Sequence, residues 1–144
     1  MNGAPVKAYS KTKDGSKKLS EHFRVREFAC GDGSDVIFIS DGLVQVLEAV
    51  RLHFNKPVTV NSGYRTPTYN KKVCGSTYSR HQYGVAADIA VPGVSPRDAA
   101  AYAETLLPGT GCIGLYKSYI HIDLRPERYR YNKTSGKEIA VDGF

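Results

Sequence analysis

Two stretches of the chain space their apolar residues as a helix does. Leu43, Val46, Leu47, Val50 and Phe54 recur at i, i+3, i+4, i+7 and i+11, which predicts an amphipathic helix over 41–54. Ser40 is a natural N-cap for it, and Asn55-Lys56-Pro57 ends it. A second helix is predicted over 96–107, with Ser95 as N-cap, Pro96 at the first helical position and Asp98 completing a capping box. Ala99, Ala100, Ala101 and Ala103 favour that helix, and Pro108-Gly109 stops it.

Alternation marks the strands. Val58–Asn61, Gly84–Val91, Cys112–Tyr116 and Tyr119–Leu124 read as extended, and Lys117-Ser118 is short enough for a hairpin turn. Helices interleaved with an antiparallel hairpin give an α+β fold, a small antiparallel sheet packed with helices. Cys30 to Asp35 carries turn residues. Residues 1–18, polar and rich in Lys, Ser and Gly, read as an arm. The folded domain is then 19–144, anchored first by Phe23, Val25 and Phe28.

A length of 144 residues suits one domain with a full core. Hydrophobic residues at 41% and charged residues at 24% exclude a disordered or fibrous chain. The apolar run Val36-Ile37-Phe38-Ile39 falls far short of the roughly 18 residues of a membrane span. Met1 to Pro5 opens no apolar signal segment, so synthesis in the cytoplasm is expected.

Twenty Lys and Arg against 14 Asp and Glu leave a formal charge of +6. Such a surface suits nucleic acid, an anionic membrane or an anionic cell-wall polymer. The basic residues are spread out, with local clusters at 7–18 and 125–130 and no interleaved aromatic platform, which argues against nucleic acid. A monomer is expected. The three cysteines, Cys30, Cys74 and Cys112, show no zinc-finger spacing and read as reduced thiols, although a Cys30–Cys74 bridge stays open on sequence alone. Nothing places any of them beside a histidine, as a cysteine nucleophile requires.

Four histidines remain. His22 lies beside Glu21 in a polar segment and His53 near a helix end, where both read as structural. His81 precedes a strand on which Ala86, Asp88 and Ala90 share one face and Val85, Ala87, Ile89 and Val91 the other. On the last predicted strand Tyr119, His121 and Asp123 point one way, with Ile120, Ile122 and Leu124 toward the core. Two imidazoles and a carboxylate would give zinc three protein ligands and an open fourth position, the arrangement of a hydrolase. Periodicity alone equally allows buried histidines hydrogen-bonded to aspartates.

Ser79-Arg80-His81 through Asp88, followed by Tyr119-Ile120-His121-Ile122-Asp123, resembles the two motifs of the zinc D-Ala-D-Ala carboxypeptidases. That family includes D,D-dipeptidases and phage L-alanyl-D-glutamate endopeptidases, and hedgehog signalling domains share its fold. Ser79, His81, Gly84, Ala86 and Asp88 match each fixed position of the first motif, and Asn61-Ser62-Gly63-Tyr64-Arg65-Thr66 resembles the family's arginine-bearing segment. The resemblance spans roughly 19–131. It implies one zinc per chain on the open face of the sheet, held by His81, Asp88 and His121. It further implies Arg65 as stabiliser of the substrate carbonyl and Ser79 as a substrate contact. The family's usual general-base positions hold Ser118 and Tyr119 here. Asp123 is therefore expected either as general base or as a partner orienting a ligand, with Glu104 a remote alternative.

The implied function is a zinc metallopeptidase acting on bacterial peptidoglycan stem peptides, first a D-Ala-D-Ala carboxypeptidase. An endolysin-type endopeptidase, reaching the wall by phage-type lysis, is the close alternative. An inactive cell-wall-binding module of the same fold is the other.

Overall fold

The computed structural model describes residues 5–144. Two sheets form. Strand β1 (Val6–Ser10) pairs antiparallel with β2 (Val36–Ser40), and six strands form the main sheet. In spatial order these are β3 (Thr59–Ser62), β4 (Ala86–Ala90), β6 (Ile120–Asp123), β5 (Cys112–Leu115), β7 (Tyr129–Asn132) and β8 (Ile139–Ala140). All pairs are antiparallel except β5 with β7, which is parallel. Among the described residues four α-helices accompany them: α1 (Lys11–Asp14), α2 (Asp41–Phe54), α3 (Pro67–Lys72) and α4 (Pro96–Leu106). The fold is the expected α+β arrangement, with a single parallel pair inside the antiparallel sheet.

Helix α2 forms where its apolar spacing predicts. Ser40 Oγ accepts from the Leu43 amide at 3.4 Å, and Asn55 closes the other end in the left-handed region at φ 51°. Its buried face, Leu43, Val46, Leu47 and Val50, joins one core with Ile89, Ile113, Ile120 and Ile122 of the sheet. Ser95 caps α4 through the Asp98 amide at 3.0 Å, and the small buried side chains of Ala99, Ala100 and Ala103 let that helix lie close on the core. Burial of these apolar faces is the main term holding helices to sheet.

Several sequence expectations change. Met1 to Ala4 of the expected arm lie outside the described residues, but from Val6 onward the segment is structured. Polar side chains do the tying: Lys7 pairs with Asp41 at 3.0 Å, and Ser10 and Thr12 donate to Asp35. The run Val36 to Ile39 is the strand that this segment completes. Helix α3 was not foreseen, although Thr66 as N-cap and Pro67 at the first position are its signals. Strands β7 and β8 follow the last predicted one. The predicted strand from Gly84 starts instead at Ala86, because Gly84, at φ 75°, ends a 3₁₀ turn over Arg80–Tyr83. Among the described residues no helix is long and apolar enough to cross a membrane.

The strand register aligns one row across the main sheet. Ser62, Asp88, His121, Gly114, Tyr131 and Ala140 are successive Cα partners from β3 to β8. Side chains of one such row share a face.

Candidate metal centre

Asp88 and His121 meet because β4 and β6 pair them directly. His81 arrives from the 3₁₀ turn, which Ser79 caps by accepting from the His81 amide at 3.3 Å. Gly84 makes the approach possible. A Cβ there would stand 2.6 Å from the Phe38 carbonyl oxygen, and its φ lies where side chains are strained.

One ligand atom from each of His81, Asp88 and His121 lies within 4.8 Å of the others. Asp88 Oδ1 is 3.3 Å from His81 Nε2 and 2.9 Å from His121 Nδ1. The far side of each ring is already engaged. His81 Nδ1 donates to the Gly63 carbonyl at 2.7 Å, and His121 Nε2 faces Asp123 Oδ2 at 2.7 Å. With the outer nitrogens so engaged, Nε2 of His81 and Nδ1 of His121 are the atoms turned to one carboxylate, donating to it when protonated and free to ligate once a cation displaces those protons. Two ring nitrogens and a carboxylate oxygen converging this closely can hold a cation, and nitrogen, nitrogen and oxygen suit zinc. All three residues are buried.

Burial opposes charge on this cluster, and mutual contacts overcome it. Desolvation would raise the Asp88 carboxyl, but hydrogen bonds from His121 and His81 hold it well below the usual carboxylate range. His121 is pulled down by burial and pushed up more strongly by Asp123 and Asp88, to about 9.

Arg65 reaches the same centre. Its amide donates to the His81 carbonyl at 3.0 Å, stapling the two segments together. Its Nε donates to Ser62 Oγ at 3.0 Å, Nη1 to Asn70 Oδ1 at 3.3 Å, and Nη2 lies 3.4 Å from Asp88 Oδ2. Ser79 and Arg65 both line a cavity of about 720 Å³ above the centre, together with His81, Asp88, His121, Arg80 and Lys133.

Asp123 is brought to His121 but not to the cavity. It is fully buried behind the ring, where Arg125 donates its amide and Nε to Oδ1, at 3.1 and 2.9 Å, and Nη2 to Oδ2 at 2.7 Å. Burial alone would raise its carboxyl, but the bonds from His121 and Arg125 keep it ionised. Glu104 lies elsewhere, paired with Arg130 Nε at 2.7 Å.

The two remaining histidines are engaged away from this centre. His22 bonds Glu48 at 2.7 Å, and the His53 ring stacks on Tyr102 with centroids 3.7 Å apart. All three cysteines are free. Cys112 also approaches His121 and Asp123 within 4.8 Å, but burial pushes its thiol up to about 12 and Arg125 occupies both oxygens of Asp123.

Sequence reasoning missed the aromatic wall of the cavity, Tyr116, Tyr119, Tyr129 and Tyr131. Tyr116 stacks on Tyr119 with centroids 4.4 Å apart. The i, i+2 tyrosines of Tyr129-Arg130-Tyr131 were the available signal.

The family described as Peptidase M15 matches residues 20–123, which contain the three proposed ligands. A stretch of 35 residues, 24% of this chain, is 54% identical to the zinc D-Ala-D-Ala carboxypeptidase of Streptomyces albus G. That stretch spans only 14% of the Streptomyces protein's length.

Proposed function

The chain belongs to the peptidase M15 family, and on that premise we propose that it is a zinc enzyme hydrolysing stem peptides of bacterial peptidoglycan, in the first instance as a D-Ala-D-Ala carboxypeptidase. The observation that carries the reading is the convergence of His81 Nε2, Asp88 Oδ1 and His121 Nδ1 with the outer ring nitrogens already bonded.

In this reading those three side chains hold one zinc per chain. A bound zinc supplies Lewis acidity toward a peptide carbonyl and lowers the pKa of water at its open position. Arg65, held by Ser62, Asn70 and Asp88, directs its guanidinium to the carbonyl oxygen as negative charge develops there. Ser79 presents its loop to the peptide at the cavity wall. Of the two roles expected for Asp123, orienting His121 is favoured over general base: its oxygens are filled by His121 and Arg125, and it does not border the cavity. In hydrolysis the hydroxyl of water joins the acyl carbon and its proton leaves with the amine.

A second reading, a wall-binding module without turnover, draws on that same position of Asp123. Digesting purified peptidoglycan with zinc-loaded protein and weighing the released fragments tests both. Free D-alanine supports the carboxypeptidase, and cleavage between L-alanine and D-glutamate the endopeptidase. Binding without any released fragment, at full zinc occupancy, leaves only the module.

A further inference from the structure

Gly114 sits between His121 and Tyr131 in the aligned row of the sheet. A Cβ on Gly114 would fall deep inside van der Waals contact with Tyr131 Cζ and 2.5 Å from its Oη. The missing side chain is the space the Tyr131 ring fills as it lies across β5 toward the metal centre. The ring centroids of Tyr131 and His121 are 6.3 Å apart.

Tyr131 Oη meets Tyr116 Oη at 2.8 Å, and both residues line the cavity. Two phenols carry two protons, and one proton makes their mutual bond. The accepting hydroxyl keeps a proton of its own. Among the described residues neither hydroxyl meets any other hydrogen-bonding group. Burial raises both phenols, so the pair stays protonated. That remaining proton lies at the cavity wall, where an acceptor on a ligand can take it.

We propose that the Tyr116–Tyr131 hydroxyl pair, seated over Gly114, is a substrate-positioning site that donates one hydrogen bond to a backbone carbonyl oxygen of the bound peptide. The inference rests on the peptidase reading above and adds a contact to it. The role assigned to the pair is to bind the peptide, with no proton transferred. Its contribution is to binding, in the ground state and the transition state alike, and belongs in KM.

The test is Tyr116→Phe/Tyr131→Phe, which keeps both rings and removes both hydroxyls. In the zinc-loaded protein, KM for a D-Ala-D-Ala-terminated tripeptide should rise about tenfold, with kcat within about threefold and zinc affinity unchanged. In the zinc-free protein, NMR titration with the same tripeptide should show a dissociation constant weakened by a similar factor. Wild-type KM and wild-type tripeptide affinity would overturn the proposal. So would a fall in zinc affinity that accounts for the change, since the pair would then only support His121. If wild-type protein cleaves nothing, the peptidase reading fails while the zinc-free titration still decides this one. Wild-type protein that neither cleaves nor binds the tripeptide overturns both.

Discussion

His121 donates its Nε2 proton to Asp123 Oδ2 across 2.7 Å, on the side of the ring turned away from the cavity. Arg125 grips the same carboxylate through three donors, so Asp123 is the middle of a chain from a half-buried guanidinium to the metal centre. Asp123→Asn removes the charge and leaves one acceptor oxygen for donors that now use two, which weakens the hold on the ring tautomer. The expected result is zinc affinity lower by about 10–100-fold, with zinc-saturated kcat largely retained. Competition against a chelator gives the first quantity and turnover at excess zinc the second. A kcat loss of about 10²–10⁴ at full occupancy would instead mark Asp123 as the general base.

Arg65→Ala removes the guanidinium that faces both Asp88 and the cavity. Turnover should fall by about 10²-fold or more while zinc remains bound. Steady-state kinetics with metal analysis on the same sample checks it.

Chelation should abolish hydrolysis, and one equivalent of zinc should restore it. Because the ligands come from a turn and two separate strands, metal binding should also raise the melting temperature. Free zinc at about 100 times its dissociation constant adds about 2.7 kcal/mol. Elemental analysis of the folded chain and thermal melts with and without metal test both parts.

Gly114→Ala should displace the Tyr131 ring from its seat. Overpacking of this kind costs about 1–3 kcal/mol, readable as a lower urea midpoint.

Glu104 predicts a pH effect. Desolvation would raise its carboxyl, but hydrogen bonding and charge from Arg130, then Arg128, bring it below the ordinary 4.5. A folded-state pKa below the unfolded one adds stability that is present above pH 4.5 and is lost as pH falls through the folded value. Arg130 is fully buried, so Glu104→Gln leaves its charge without a counterion and should cost about 3 kcal/mol at pH 7. The gap in urea midpoint between the two proteins should narrow on acidification toward pH 3.

The amphipathic spacing of α2 and the alternation of β4, β5 and β6 were legible because their apolar faces are all buried in one core. The outward face of β6 made His121 and Asp123 legible as neighbours. What Asp123 does there was not, because Arg125 lies past the strand end and folds back onto it. Strands β7 and β8 were hidden for another reason. Tyr129-Arg130-Tyr131-Asn132 alternates polar with aromatic rather than with aliphatic residues, and its Arg130 is buried on backbone carbonyls that no local pattern reveals. The Tyr131–Gly114 fit depends on a parallel pairing, which sequence spacing does not announce. The N-terminal strand was missed because Val6–Ser10 is held by its backbone ladder to β2, far along the chain, with Lys7 and Ser10 bonding to Asp41 and Asp35.

That N-terminal strand governs how the chain behaves when shortened. Strand β2 has β1 as its sheet partner, and even in that pair Val36 and Phe38 remain partly exposed, at 39% and 36%. A version beginning at Leu19 would bare a row of backbone donors and acceptors flanked by Val36, Ile37, Phe38 and Ile39. An open edge of that composition recruits a strand from a second molecule. Such a trimmed protein should self-associate on purification, even though the three metal-site side chains, His81, Asp88 and His121, all lie after position 60.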